Sequence, residues 1–213
     1  MSRANFAWAV LKLCVFGVSL IPFSLIVLDT LNDNLGANPI QTLHFKTGDW
    51  AIRFLLLTLS LTPIRLLFHL NFQQRFRRMF GLFAFFYASL HATVYFVLDL
   101  SFSWAQMVED VPKKPYVLVG LTAYVFLIPL ALTSTRAMMR RLGPYWKKLH
   151  RSVYLIALLA VVHYFWLVKA DYREPIIYAL ILLGLLGVRK IHHSKRRRQD
   201  NRLSVNARKR VVG

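Results

Sequence analysis

Long apolar stretches separated by short polar connections organise this chain. A helix that crosses a bilayer needs roughly 20 mostly apolar residues. The pattern predicts six such segments, over 6–28, 50–68, 79–98, 116–133, 149–168 and 175–188. Polar intrusions are few. Lys12 lies in the first segment, and Arg53 and Arg65 sit near opposite ends of the second, where long stems carry the charge to the interfaces. Pro63 and Pro129 fall inside the second and fourth. In a bundle such prolines kink the helix, and the carbonyls they release find other partners. The expected fold class is therefore an all-α integral membrane protein. A six-transmembrane-helix bundle would span 1–190, followed by a basic tail over 191–213 without regular structure. The first apolar run is too long for a cleavable signal peptide, and no small-x-small site follows it.

Composition agrees: 56% of residues are hydrophobic and 14% aromatic, beyond an ordinary soluble domain of 213 residues. The net charge of +19 is of a size that can signal nucleic acid, but here it falls in runs between spans, so no nucleic-acid partner is expected. Arg75, Arg77 and Arg78 follow the second span, Arg136, Arg140, Arg141, Lys147 and Lys148 the fourth, and a dense run begins at Arg189. The alternate connections hold only Lys46, Lys113, Lys114, Lys169 and Arg173. By the positive-inside rule, both termini and the even-numbered loops face the cytoplasm. The tail, with 195–198 and 208–210, is expected to lie against anionic lipid. The basic rim around Arg77 and Arg140 could attract a phosphate or an acidic donor protein, although topology alone also produces it. The single cysteine, Cys14, excludes an internal disulfide and an all-cysteine cluster.

The candidate chemistry lies in the histidines. His192 and His193 belong to the tail, and His69 to the cytoplasmic end of the second span. His44, in the 35–49 connection, marks a candidate surface for a periplasmic partner. Polar side chains within the hydrocarbon mark function more often than in a soluble core. His91 lies about 12 residues along the third span and His163 about 14 along the fifth, or about 18 and 21 Å at the helical rise. Two neutral imidazoles at equal depth can clamp a haem iron from both faces. Hydrogen bonding between helices is the plainer alternative. Large flat side chains surround both: Phe83, Phe85, Phe86, Tyr87, Tyr95, Phe96, Tyr154, Phe165 and Trp166. His150 lies about 20 Å below His163. A stacked inner haem there would need a ligand near 77–78, where Arg77 and Arg78 stand, so His150 would need another partner such as His69. Arg53, at the depth of the outer site, is a candidate for a haem propionate.

Several short stretches recur in a familiar order: 35–39 (Leu-Gly-Ala-Asn-Pro), 44–48 (His-Phe-Lys-Thr-Gly), 61–63 (Leu-Thr-Pro), 77–82 (Arg-Arg-Met-Phe-Gly-Leu), 89–91 (Ser-Leu-His), 132–134 (Leu-Thr-Ser), and Leu149-His150 through Tyr154 to His163-Tyr164. This set resembles the MsrQ (YedZ) family, haem-binding membrane subunits of the bacterial MsrPQ methionine sulfoxide reductase system, within the ferric-reductase-like transmembrane group. The resemblance implies haem b, one or two, held by His91 and His163 as axial ligands, with His150 a third functional histidine. It implies FMN as well. Electrons would come from the quinone pool or a cytoplasmic flavin reductase, cross the bacterial inner membrane, and leave to the periplasmic molybdenum-containing subunit MsrP. The alternatives are a haem-bearing ferric or quinone reductase with another acceptor, and a transporter or scaffold whose histidines handle protons or pack helices.

Overall fold

A computed structural model describes residues 3–69 and 75–212, and among them the chain is helical with no strand. Six helices are long and apolar enough to cross a membrane, over Asn5–Leu31, Pro39–Phe68, Arg77–Asp99, Pro115–Leu132, Pro144–Leu167 and Arg173–Gln199. Each corresponds to one of the six segments predicted from hydropathy. Helix α1 runs Arg3–Leu31 and α2 Pro39–Phe68. Helix α3, Arg77–Thr93, continues as a π-helical turn, Val94–Asp99. A short α4, Trp104–Lys113, crosses the connection to α5, Pro115–Leu132. Two one-to-two-turn helices follow, α6 at Arg136–Leu142 and α7 at Pro144–His150, then α8 at Val153–Leu167 and α9 at Arg173–Val212.

The predicted second span starts too late. Asn38 accepts a hydrogen bond from the Gln41 amide at 3.1 Å, and Pro39 takes the first helical position. That cap and proline pair starts a helix efficiently. The polar residues that disguised this turn as a loop are partnered, for Lys46 Nζ lies 2.5 Å from Asp29 Oδ2 of α1. Helix α9 also runs beyond the expected span. It continues as helix to Val212, through a segment that composition alone left without regular structure. Side chains at 200–212 lie outside the described residues.

Helix α2 is the spine. It packs along α3, while α5 packs along α8, and α9 closes against α2 and α8. Phe54 stacks between Tyr87 and Phe83, at 5.3 and 5.4 Å between centroids, beside Leu59 and Ile156 in the core. Two of the helix prolines are answered by side chains of neighbouring helices. Pro63 offers no N–H to the Leu59 carbonyl, and Arg189 of α9 donates to it instead at 2.5 Å. Around Pro22 the fully buried Tyr87 hydroxyl enters the ladder of α1. It donates to the Ser19 carbonyl at 2.8 Å and accepts from the Phe23 amide at 3.1 Å. Apolar residues on α1 and α9, such as Leu13, Val18, Leu180 and Leu183, stay exposed, as lipid-facing surfaces do.

The cavity between the two histidines

The ends of α2, α3, α5 and α8 enclose a cavity of about 510 Å³ lined by both His91 and His163. That volume falls in the ~300–1,000 Å³ range of small-molecule and cofactor sites. The two imidazole rings face one another across it, with centroids 6.0 Å apart and planes at 82°.

The two halves of the site are built alike. His91 Nδ1 lies 3.0 Å from the carbonyl of His44, and His163 Nδ1 lies 2.7 Å from that of Tyr116, each 47 residues upstream. A carbonyl oxygen only accepts, so each Nδ1 carries the proton and each Nε2 presents a lone pair. Four residues past each carbonyl stands a glycine. A Cβ on Gly48 would lie 3.2 Å from His91 Nδ1 and Cε1, and one on Gly120 would lie 2.6 Å from His163 Nδ1. The bare glycine backbone lets the Nδ1–Cε1 edge of each ring approach the neighbouring helix closely. In the α2–α3 half, the buried Thr47 adds its hydroxyl 3.4 Å from His91 Nδ1. Directly after His91 the helix loosens into the π turn 94–99, a distortion frequent at functional sites.

Two imidazoles supply only two ligands, and among the described residues no group of three or more His, Cys, Asp or Glu could hold a bare metal ion. The donor set fits a metal that brings its own in-plane ligands. A metal–imidazole bond of about 2 Å on each side, plus about 1 Å from nitrogen to ring centre, places two axial ligands about 6 Å apart by centroid. The walls suit a flat occupant, because Ala84, Ala88 and Ala92 on α3, Ala123 on α5 and Ala160 on α8 keep them low. The residues present therefore fit haem, with His91 and His163 as the pair that would hold it.

The profile of the family described as "Ferric reductase like transmembrane component" matches residues 47–161. A protein-methionine-sulfoxide reductase heme-binding subunit MsrQ from Xanthomonas oryzae pv. oryzae is 44% identical over 211 residues, covering 96% of this chain and 97% of the relative. The protein of that description from Xanthomonas campestris pv. campestris is 51% identical over 174 residues, covering 82% and 80%. One from Herminiimonas arsenicoxydans is 46% identical over 197 residues, covering 91% and 90%. The chain belongs to the MsrQ family of ferric-reductase-like multi-pass membrane proteins. No solved structure matches it. Within this MsrQ-family chain the matched segment opens at Thr47, beside His91, and contains Gly48, His91 and Gly120.

The remaining sequence-predicted residues are dispersed. His150, the last residue of α7, stacks on Trp146 at 4.0 Å between centroids, and its Nδ1 lies 3.2 Å from the Trp146 carbonyl one turn back. The Leu130 carbonyl and Arg77 are its further polar neighbours. His69 caps the far end of α2 in a left-handed conformation, φ 55°, and is exposed. No contact between His69 and His150 occurs among the described residues. Arg53 stands outside the cavity wall. Its Nε donates to the Tyr178 hydroxyl at 2.9 Å, an Nη reaches Asp49 at 3.1 Å, and the guanidinium covers the Trp50 ring. His192 and His193 are exposed on α9.

Most of the expected aromatic wall is elsewhere as well. Of those side chains only Tyr95 and Phe96 line the cavity. Phe83, Phe86 and Tyr87 pack against α1 and α2, Tyr154 receives Arg189, Phe165 stacks on Tyr172, and Trp166 is exposed. Sequence reasoning missed Gly48, Gly120 and the His44 ring. The available signals were small residues inside apolar helices, which mark close approach in membranes, and a carbonyl–glycine–histidine spacing that occurs twice.

Proposed function

We propose that this protein is a haem b-carrying electron-transfer subunit of the bacterial inner membrane, serving a periplasmic methionine sulfoxide reductase of the MsrP type. The observation that carries the reading is the His91–His163 pair: two rings 6.0 Å apart, each with Nδ1 committed to a carbonyl of another helix and Nε2 left for a ligand. Partners at the outer ring nitrogen fix tautomer and orientation in metal-bound histidines. Haem, when bound, supplies one-electron chemistry, and the protein sets its position and potential. His91 and His163 would hold the haem, and Gly48 and Gly120 leave space for their rings. The 44–51% identity to relatives named as heme-binding subunits of protein-methionine-sulfoxide reductase supports the assignment.

Both termini face the cytoplasm on this reading, which the lysine and arginine distribution supports. The cavity mouth then opens toward the periplasm, on the side of the catalytic partner. Reducing equivalents enter from the quinone pool or a cytoplasmic flavin reductase, with FMN, implied by the family resemblance, as a second cofactor. Repair of oxidised envelope proteins is the physiological outcome. The test is electron delivery. The purified, prereduced protein is mixed with the periplasmic molybdenum partner and a methionine sulfoxide substrate. Reoxidation that requires both supports the assignment, and a protein that stays reduced with both present contradicts it.

A further inference from the structure

Resting on the haem reading above, we propose that the His44 side chain anchors a carboxylate of the cofactor and so sets which edge of the porphyrin faces the cavity mouth. The cavity is polarised along its length. Leu55, Ala84, Leu127 and Ile156 line the end within the bundle, whereas Asn38, His44, Asp99 and Lys114 line the mouth. Protohaem is polarised in the same sense, with two propionates on one edge and methyl and vinyl groups on the other. Burying the apolar edge and leaving the acidic edge at the mouth satisfies both.

His44 stands at that mouth with an unmet need. Its Nε2 is buried and has no hydrogen-bond partner. The nearest acidic oxygen, Asp99 Oδ2, lies 3.8 Å away, beyond hydrogen-bond range. Buried polar atoms in native proteins are almost always paired, and an exception asks for a ligand or a function. The ring is held beside the site, 5.3 Å from that of His91 and edge-on to it. The same residue's backbone carbonyl already orients His91, so one residue places both the axial ligand and the acidic edge. In the other half Tyr116 occupies the equivalent position. Its carbonyl orients His163, its ring lies 6.3 Å from it, and it too lines the cavity. Tyr116 is thus the polar ring that the second half contributes to the cavity lining. Arg53, the candidate from the sequence, is already committed to Asp49 and Tyr178.

The experiment loads the full-length apoprotein in mild detergent with protohaem or with protohaem dimethyl ester, which lacks both negative charges. Cofactor retention is measured for wild type, His44→Ala, His44→Gln and Asp99→Asn. His44→Phe keeps the ring volume without a donor and replaces His44→Ala should that variant not fold. Every substitution preserves the backbone carbonyl that serves His91. Wild type is expected to hold protohaem more tightly than the ester. His44→Ala loses about tenfold for protohaem, the scale of one charge-assisted hydrogen bond, and nothing for the ester. His44→Gln, which retains a donor, recovers most of the difference, and Asp99→Asn loses none. Equal losses for both cofactors, no loss in either, or a loss in Asp99→Asn matching that of His44→Ala would overturn the anchor. A wild-type protein that takes up neither cofactor would instead overturn the haem reading beneath it.

Discussion

Two intramembrane histidine environments coexist in this bundle. At the cavity end, His91 and His163 each hydrogen-bond to a carbonyl on a different helix and lie against a glycine. At the basic end, His150 turns back on its own helix, stacked on Trp146 and bonded to that residue's carbonyl. The first arrangement spends one nitrogen on orientation and leaves the other facing open volume. The second is packed by an indole, with Arg77 for a neighbour. Depth in the membrane is similar information for any histidine; what separates them is whether the surrounding helices have made room for something else.

The sharpest way to break the comparison is to fill that room. In Gly120→Ala the new Cβ would lie 2.6 Å from His163 Nδ1, closer than any relaxed contact, and the ring must move. Cofactor content of the purified protein is expected to fall at least about tenfold, since a ligand displaced by about 1 Å costs on that order. The twin substitution, Gly48→Ala, meets His91 at 3.2 Å, which a small shift relieves. Its expected loss is about two- to threefold, and an order reversed from this would show that the halves differ in some other way. His150→Ala is expected to leave the bis-histidine absorption of the cavity pair unchanged. Tyr87→Phe affects stability alone. It deletes the hydroxyl that mends α1 and should lower stability by about 1–2 kcal/mol, read as a lower thermal midpoint with unchanged cofactor content.

The architecture was legible because lipid imposes it. Only a long apolar helix satisfies its own backbone in hydrocarbon, so hydropathy reports the six spans directly, and Pro63 announced a free carbonyl that Arg189 fills. The pairing of His91 with His163 was legible for a similar reason, since rise per residue converts sequence position into depth. Azimuth is what one sequence conceals. Depth along α2 alone made Arg53 a candidate, yet its rotation about the axis carries it to Tyr178 and away from the cavity. The aromatic residues misled likewise. Most of them fill the space between helices, whereas alanines and glycines open the room beside the two histidines. His44 was assigned to a loop because Lys46 and Asp49 interrupt the apolar run; the α1–α2 ion pair that absorbs Lys46 is a tertiary fact.

On the reading proposed above, His91 and His163 would hold one haem iron between them. The direct measurement is the reduced-minus-oxidised visible spectrum, with haem quantified per polypeptide, for wild type, His91→Ala and His163→Ala purified in mild detergent. A low-spin b-type spectrum is expected in wild type, abolished or converted to high spin in both variants. A folded wild type without b-type absorption, or a wild-type spectrum that survives both substitutions unchanged, would contradict that reading.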